Sequence, residues 1–117
     1  MAEVAWDKTE ALKGLGGDED LLRDMIASFL EEMPGQLTAI QVAQEQGNLP
    51  ALANAAHAIK GAVSYFYAAG VRDYAVHLEQ TARSKQSADY RQMAEVLVNA
   101  VTQLMETLRQ FMDKNPR

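Results

Sequence analysis

The 117 residues include no cysteine, which excludes disulfides, thiolate-ligated zinc or iron–sulfur clusters and thiol catalysis, and fits a reducing, cytoplasmic compartment. Long apolar runs are also missing, since no stretch approaches the roughly 18 to 20 residues of a membrane span. The opening MAEVAWDKTE carries acids where a signal peptide has a basic start and an apolar stretch. A membrane is therefore not an expected partner. Basic residues are scarce as well: 11 Lys plus Arg stand against 16 Asp plus Glu, a net charge of −5. That charge repels a phosphate backbone and leaves nonspecific nucleic-acid binding without electrostatic footing. A protein is the expected partner. Prolines number three and glycines seven, so turn punctuation is sparse, and strand-like alternation is absent.

What is present is helical periodicity from end to end and a hydrophobic content of 48%. That content is enough for one core, and residues 1–117 are read as a single all-α domain. Asp7 followed by Glu10 resembles a capping box for a short helix near residues 8 to 15, stopped by Gly16 and Gly17, with Trp6 folding back on the bundle end. Asp18 is a plausible N-cap for the next helix, whose first turn holds Glu19 and Asp20. Its apolar stripe runs Leu22, Ile26, Phe29, Met33, Leu37, Ile40 and keeps phase across Pro34, so one helix kinked at the proline is expected, ending at Gly47-Asn48. Leu49-Pro50 opens a third helix reaching about Phe66. A fourth covers roughly 69 to 85 with Val71, Ala75, Leu78 and Ala82 on one face. After SKQSAD, the last helix carries Tyr90, Ala94, Leu97, Val101, Leu104, Leu108 and Phe111 at spacings of four and three, a bundle seam sustained over three heptads. Four long helices joined by short loops imply an antiparallel four-helix bundle, with the short N-terminal helix as an addition.

The third helix contains HAIKGAVSYF, in which a histidine, a lysine and a glycine interrupt good helix-forming sequence. Glycine in a helix interior costs about 1 kcal/mol relative to alanine. At about 100 degrees per residue, Leu52, Ala56, Ile59, Val63 and Phe66 cluster within roughly 40 degrees of one direction, which is the core face. His57 then lies at about 140 degrees, Gly61 at about 180, Ser64 at about 120, Asn54 at about 200 and Lys60 at about 80. His57 points outward, and Gly61, one turn later, removes the side chain that would shield it. Lys60 places an ammonium near any anion attached to the ring and disfavours imidazolium. Ser64, Asn54 and Ala53 complete the face on which a partner would dock. An exposed neutral imidazole beside a cation, with no acid or base partner required, suits in-line attack on an activated phosphoryl group held by another protein.

The H-x-x-K-G pattern of HAIKG, with an apolar residue before the lysine, resembles the histidine-containing phosphotransfer (HPt) domain. WDKTEALKGLGGDEDLLRDMIASFLEEMPGQL is similar to the family's opening, and VRDYAVHLEQTAR to its next helix with a Leu-Glu pair, so the likeness covers nearly the whole chain. The resemblance implies that His57 accepts a phosphoryl group from an aspartate of a response-regulator receiver domain and passes it to another. Lys60 would lie near the phosphate and Gly61 would leave room for the receiver. A hybrid sensor kinase is a further possible partner. The receiver brings the aspartate and Mg2+, so the domain itself is expected to need no cofactor and no metal. In one departure, the family's glycine ten residues after the active histidine is replaced by Tyr67, with Ala68 next and Gly70 three positions late. Either Tyr67 takes a strained helix-ending conformation, or the connection is rebuilt around YFYAAG, or the helix runs on. Tyr65 and Tyr67 are read as bundle-end packing that could flank the docking surface.

Other chemistries find less support. A Glu-x-x-His metal pair is absent, and His77 and Glu79, two residues apart, share no helix face. His77 is read as solvated. With no phosphate-cradling glycine loop and no nucleophile motif, the chain is expected to be a phosphoryl carrier without kinase activity of its own. The rival from another class is a passive helical docking module that uses the same face without chemistry. The ends at Met1 and Asn115-Pro116-Arg117 suit a separate small protein, and a seam that can be satisfied internally suggests a monomer.

Overall fold

The computed structural model of the chain describes residues 6–84 and 89–116. It places five helices in order: α1 (Lys8–Lys13), α2 (Glu19–Gln46), α3 (Leu49–Ser64), α4 (Ala69–Arg83) and α5 (Tyr90–Lys114). No strand occurs among the described residues. Part of the connection expected at SKQSAD, residues 85–88, lies outside them, as do residues 1–5 of the acidic N-terminal stretch.

The chain's own capping chemistry sets most helix ends. Asp7 accepts from the Glu10 N–H at 3.1 Å, but only half a capping box forms. The Asp7 N–H donates instead to the Phe66 carbonyl at 3.0 Å, and the Glu10 carboxylate pairs with Lys13. Asp18 caps α2 through the Leu21 N–H at 3.0 Å, and Gly47 closes it at φ 66°, in the left-handed region. Asn48 then caps α3 by accepting from Ala51 N–H. Helix α2 runs unbroken through Pro34, as expected from its stripe. The proline is exposed, so the Leu30 carbonyl that loses its donor lies on the solvent side, where water can satisfy it.

Each long helix packs on its sequence neighbour, and α5 returns to α2, closing a four-helix ring with α1 against α2. Connections as short as Gly47-Asn48 force antiparallel neighbours. The stripes read from the sequence form the core: Leu22, Ile26, Phe29, Met33 and Ile40 of α2, Leu52, Ala56, Ile59 and Val63 of α3, Val71, Ala75, Leu78 and Ala82 of α4, and Ala94 through Leu108 of α5. Each buried Leu or Ile contributes roughly 1.5–3 kcal/mol by leaving water. The bundle is rod-like, 46 × 27 × 21 Å. One end is closed by aromatics meeting edge to face, with Trp6 5.4 Å from Phe111 and 6.2 Å from Phe66, and Phe66 5.1 Å from Phe29.

The end of α3 resolves the three alternatives set by the missing glycine. The helix stops at Ser64, and Tyr67 adopts φ 54°, the one positive φ among the described non-glycine residues. A side chain there costs roughly 1–2 kcal/mol. Tyr67 is half exposed, so little packing offsets that cost. Tyr67→Gly is therefore expected to stabilise the domain by about 0.5–1 kcal/mol, read as a higher urea midpoint at unchanged m-value. A lower midpoint would mean that the tyrosine ring contributes more than its backbone costs.

Candidate functional site

His57 sits midway along α3, and its side chain is 60% exposed. The wheel reading of an outward ring holds. Gly61, one turn on, is exposed, and a Cβ built there would meet nothing within 4 Å. Packing inside the domain therefore does not require glycine at this position, while a close approach from outside would. Gly61→Ala should raise stability by about 0.5–1 kcal/mol through helix propensity and yet slow a reaction at His57 by about tenfold or more, because misplacement of reacting groups by an ångström is that costly. Denaturant unfolding and a transfer assay on the same sample check both halves. An alanine variant that is more stable and equally fast would remove the steric role.

The ring is not alone, contrary to the expectation that it needs no acid partner. Glu79, from α4, reaches across to it, and Glu79 Oε2 lies 3.0 Å from His57 Nδ1. Lys60 Nζ is 3.1 Å from Glu79 Oε1. Arg83, one turn after Glu79, directs Nε and Nη2 at Oε2, each at 2.9 Å. A carboxylate only 12% exposed thus collects an imidazole and two cations. Burial acts to raise the pKa of this carboxyl, but hydrogen bonds from Lys60, Arg83 and His57, together with the Lys60 charge, outweigh it and hold it below the ordinary glutamate value. Because the folded value is depressed, ionised Glu79 contributes stability at neutral pH that is lost as pH falls through the lowered value.

An ionised carboxylate only accepts hydrogen bonds, so Nδ1 carries the proton and Nε2 is the nitrogen left for chemistry. With the ring neutral, Nε2 holds a lone pair on an exposed edge beside a glycine gap. Such a group can act as a nucleophile toward an electrophile delivered by another molecule.

The other expected residues divide. Lys60 belongs to the cluster, though its ammonium is engaged by Glu79 rather than waiting free. Asn54 is exposed on the turn before His57. Ser64 is half buried, and its hydroxyl donates to the Lys60 carbonyl at 2.7 Å, so only its oxygen lone pairs remain for a partner. Ala53 does not belong to the docking face, being 1% exposed. It lies about 100 degrees from the core direction, on the flank that α4 covers, and its methyl lets the two helices close. The same packing brings Glu79 to the ring, and sequence reasoning missed both Glu79 and Arg83. Their Glu-x-x-x-Arg spacing, starting next to the core residue Leu78, was the available signal. His77 is exposed, as expected, and lines a shallow groove with Tyr74 and Met93.

The family model of the Hpt domain matches residues 24–111. A search of curated proteins finds no match. Among solved structures, the chain is similar to histidine-containing phosphotransfer protein B (HptB) from Pseudomonas aeruginosa PAO1, with a TM-score of 0.84 and 20% identity over 94% of this chain and 96% of that one. It is similar also to the HPT domain of the Hpt sensor hybrid histidine kinase from Shewanella, with a TM-score of 0.84 and 16% identity over 96% and 97% of the two chains. At these identities the likeness is one of fold.

Proposed function

The chain belongs to the Hpt domain family, whose work is histidine phosphotransfer in two-component phosphorelays, and from that premise we propose that His57 is its phosphoryl-carrying residue. The observation that carries the reading is the Nδ1 contact with Glu79 on an exposed ring, which leaves Nε2 as the reactive nitrogen. A phosphorylated receiver docks over α3, where Gly61 gives clearance. The Nε2 lone pair attacks phosphorus, the bond from phosphorus to the aspartyl oxygen breaks, and the aspartate leaves as a carboxylate. The ring, now bonded at Nε2 and still protonated at Nδ1, gains a positive charge beside Glu79. Lys60 offsets the charge of the transferring group. A second receiver reverses these steps and takes the phosphoryl group away.

The domain acts as a carrier, with transfer driven by its partner. Mg2+ enters with the receiver, because the carboxylate beside the ring already accepts from Lys60, Arg83 and His57 and offers no ready cation site. Asn54 and the Ser64 oxygen border the docking face. We take residues 1–117 to be one domain that acts as a cytoplasmic monomer. No helix among the described residues is long and apolar enough to cross a membrane.

The test is incubation with an acyl-phosphorylated receiver of the same cell and Mg2+. The expected result is acid-labile, alkali-stable label on this protein, lost again to a second receiver. Binding without label across the cell's receivers would overturn the proposal.

A further inference from the structure

Arg83 is half exposed and distant in sequence from the H-x-x-K-G motif, yet it contacts the one atom that most directly governs the His57 ring. Both of its bonds fall on Glu79 Oε2, the oxygen that accepts from His57 Nδ1, while Lys60 takes Oε1. A carboxylate against an imidazole has two opposed effects. It fixes the proton on Nδ1, which readies Nε2, and it also favours a second proton on the ring, which consumes the Nε2 lone pair. An orienting acid without compensation would thus suppress the nucleophile it orients.

We propose that Arg83 is a positioning residue for His57: it holds Glu79 Oε2 in register with Nδ1 and offsets the carboxylate charge that faces the ring. The inference rests on His57 being the phosphoryl carrier. Among the described residues, the charged groups facing the ring come from α3 (Lys60) and α4 (Glu79 and Arg83), one negative against two positive. Helix α2 packs on the other flank of α3, where Asp24 and Glu32 border a separate groove with Ala62 and Tyr65. His77 of α4 faces the groove toward α5. Arg83 follows Glu79 by four residues in the last turn of α4, an arrangement that favours a cation at that end and a Glu-to-Arg pair along the helix. Removing Arg83 leaves Glu79 with Lys60 and the His57 ring alone, so the carboxylate is held less firmly and more of its charge falls on the imidazole.

The experiment compares wild type, Arg83→Met and Arg83→Lys, first by following the His57 ring proton signals against pH by NMR in the unphosphorylated protein, then by transfer rate against pH. In Arg83→Met the ring signals should move over a more alkaline range. Transfer at neutral pH should fall severalfold and recover in part as pH rises, the remaining deficit being the cost of a carboxylate no longer held in register. Arg83→Lys should restore part of both. In a Glu79→Gln background, where no carboxylate charge is left to offset, Arg83→Met should move the ring signals less than it does in the wild-type background, and an equal or larger movement would overturn the proposal. Unchanged ring titration in Arg83→Met, or a rate loss equal at all pH values, would overturn the proposal. Ring titration needs no transfer, so a protein whose ring responds as described but never accepts phosphate would refute the carrier reading and leave the charge balance standing.

Discussion

Replacing His57 with glutamine should abolish phosphoryl transfer while leaving the fold and receiver docking intact. Glutamine retains polarity and some length, and its amide can still donate to Glu79, but its nitrogen has no available lone pair and cannot form the bond to phosphorus. The loss should therefore reach background, because no residual route through the same side chain exists. Stability should change by no more than about 0.5 kcal/mol, since the histidine is an exposed residue outside the core. Glu79 would keep Lys60 and Arg83, so no buried charge is orphaned. Three readings on one sample decide the matter: thermal midpoint, receiver affinity by calorimetry, and acid-labile label. Label persisting on His57→Gln would direct attention to His77, the only other histidine, and His77→Gln is the matching control. It is expected to transfer normally, because no hydrogen bond or ion pair of His77 occurs among the described residues to fix its proton.

Much of this was legible in the sequence because helix period and capping are local properties. The stripe from Leu22 to Ile40, the caps at Asp7 and Asp18, the left-handed stop at Gly47 and the outward direction of His57 each depend on residues within one or two turns of each other. The misses at Ala53 and Glu79 share one cause, the rotational setting of one helix against the next. Periodicity gives the direction of the core but does not say how far a neighbour wraps around the flank. Helix α4 covers the flank of α3 at about 100 degrees, which buries Ala53 and carries Glu79 to the ring. Had α4 stood a few ångströms away, Ala53 would face a partner and Glu79 would be an ordinary surface acid. The end of α3 was missed by two residues because nothing local in YFYAAG forbids helix. The chain stops there through the strained Tyr67 and the bond from Asp7 to the Phe66 carbonyl, a contact spanning most of the N-terminal half.

Glu79→Ala should slow transfer by about 10- to 100-fold, the usual cost of removing a group that orients a functional histidine, and Glu79→Gln should keep most of the rate. Alanine removes the acceptor for Nδ1–H. The ring can then turn freely and take either tautomer, and when the proton sits on Nε2 the nucleophile is lost. Glutamine retains a carbonyl oxygen at nearly the same place, so the ring stays oriented while the negative charge disappears. The two variants therefore separate geometry from charge. Alanine also leaves Lys60 and Arg83 without their shared partner, so the site becomes more cationic. Receiver binding should not weaken for that reason, and the deficit should appear in the rate of the bound complex rather than in its affinity. Single-turnover transfer at saturating receiver measures this directly. Equal rates for alanine and wild type would show that Glu79 orients nothing, whereas equal losses for alanine and glutamine would show that its charge, rather than its hydrogen bond to Nδ1, is what the reaction requires.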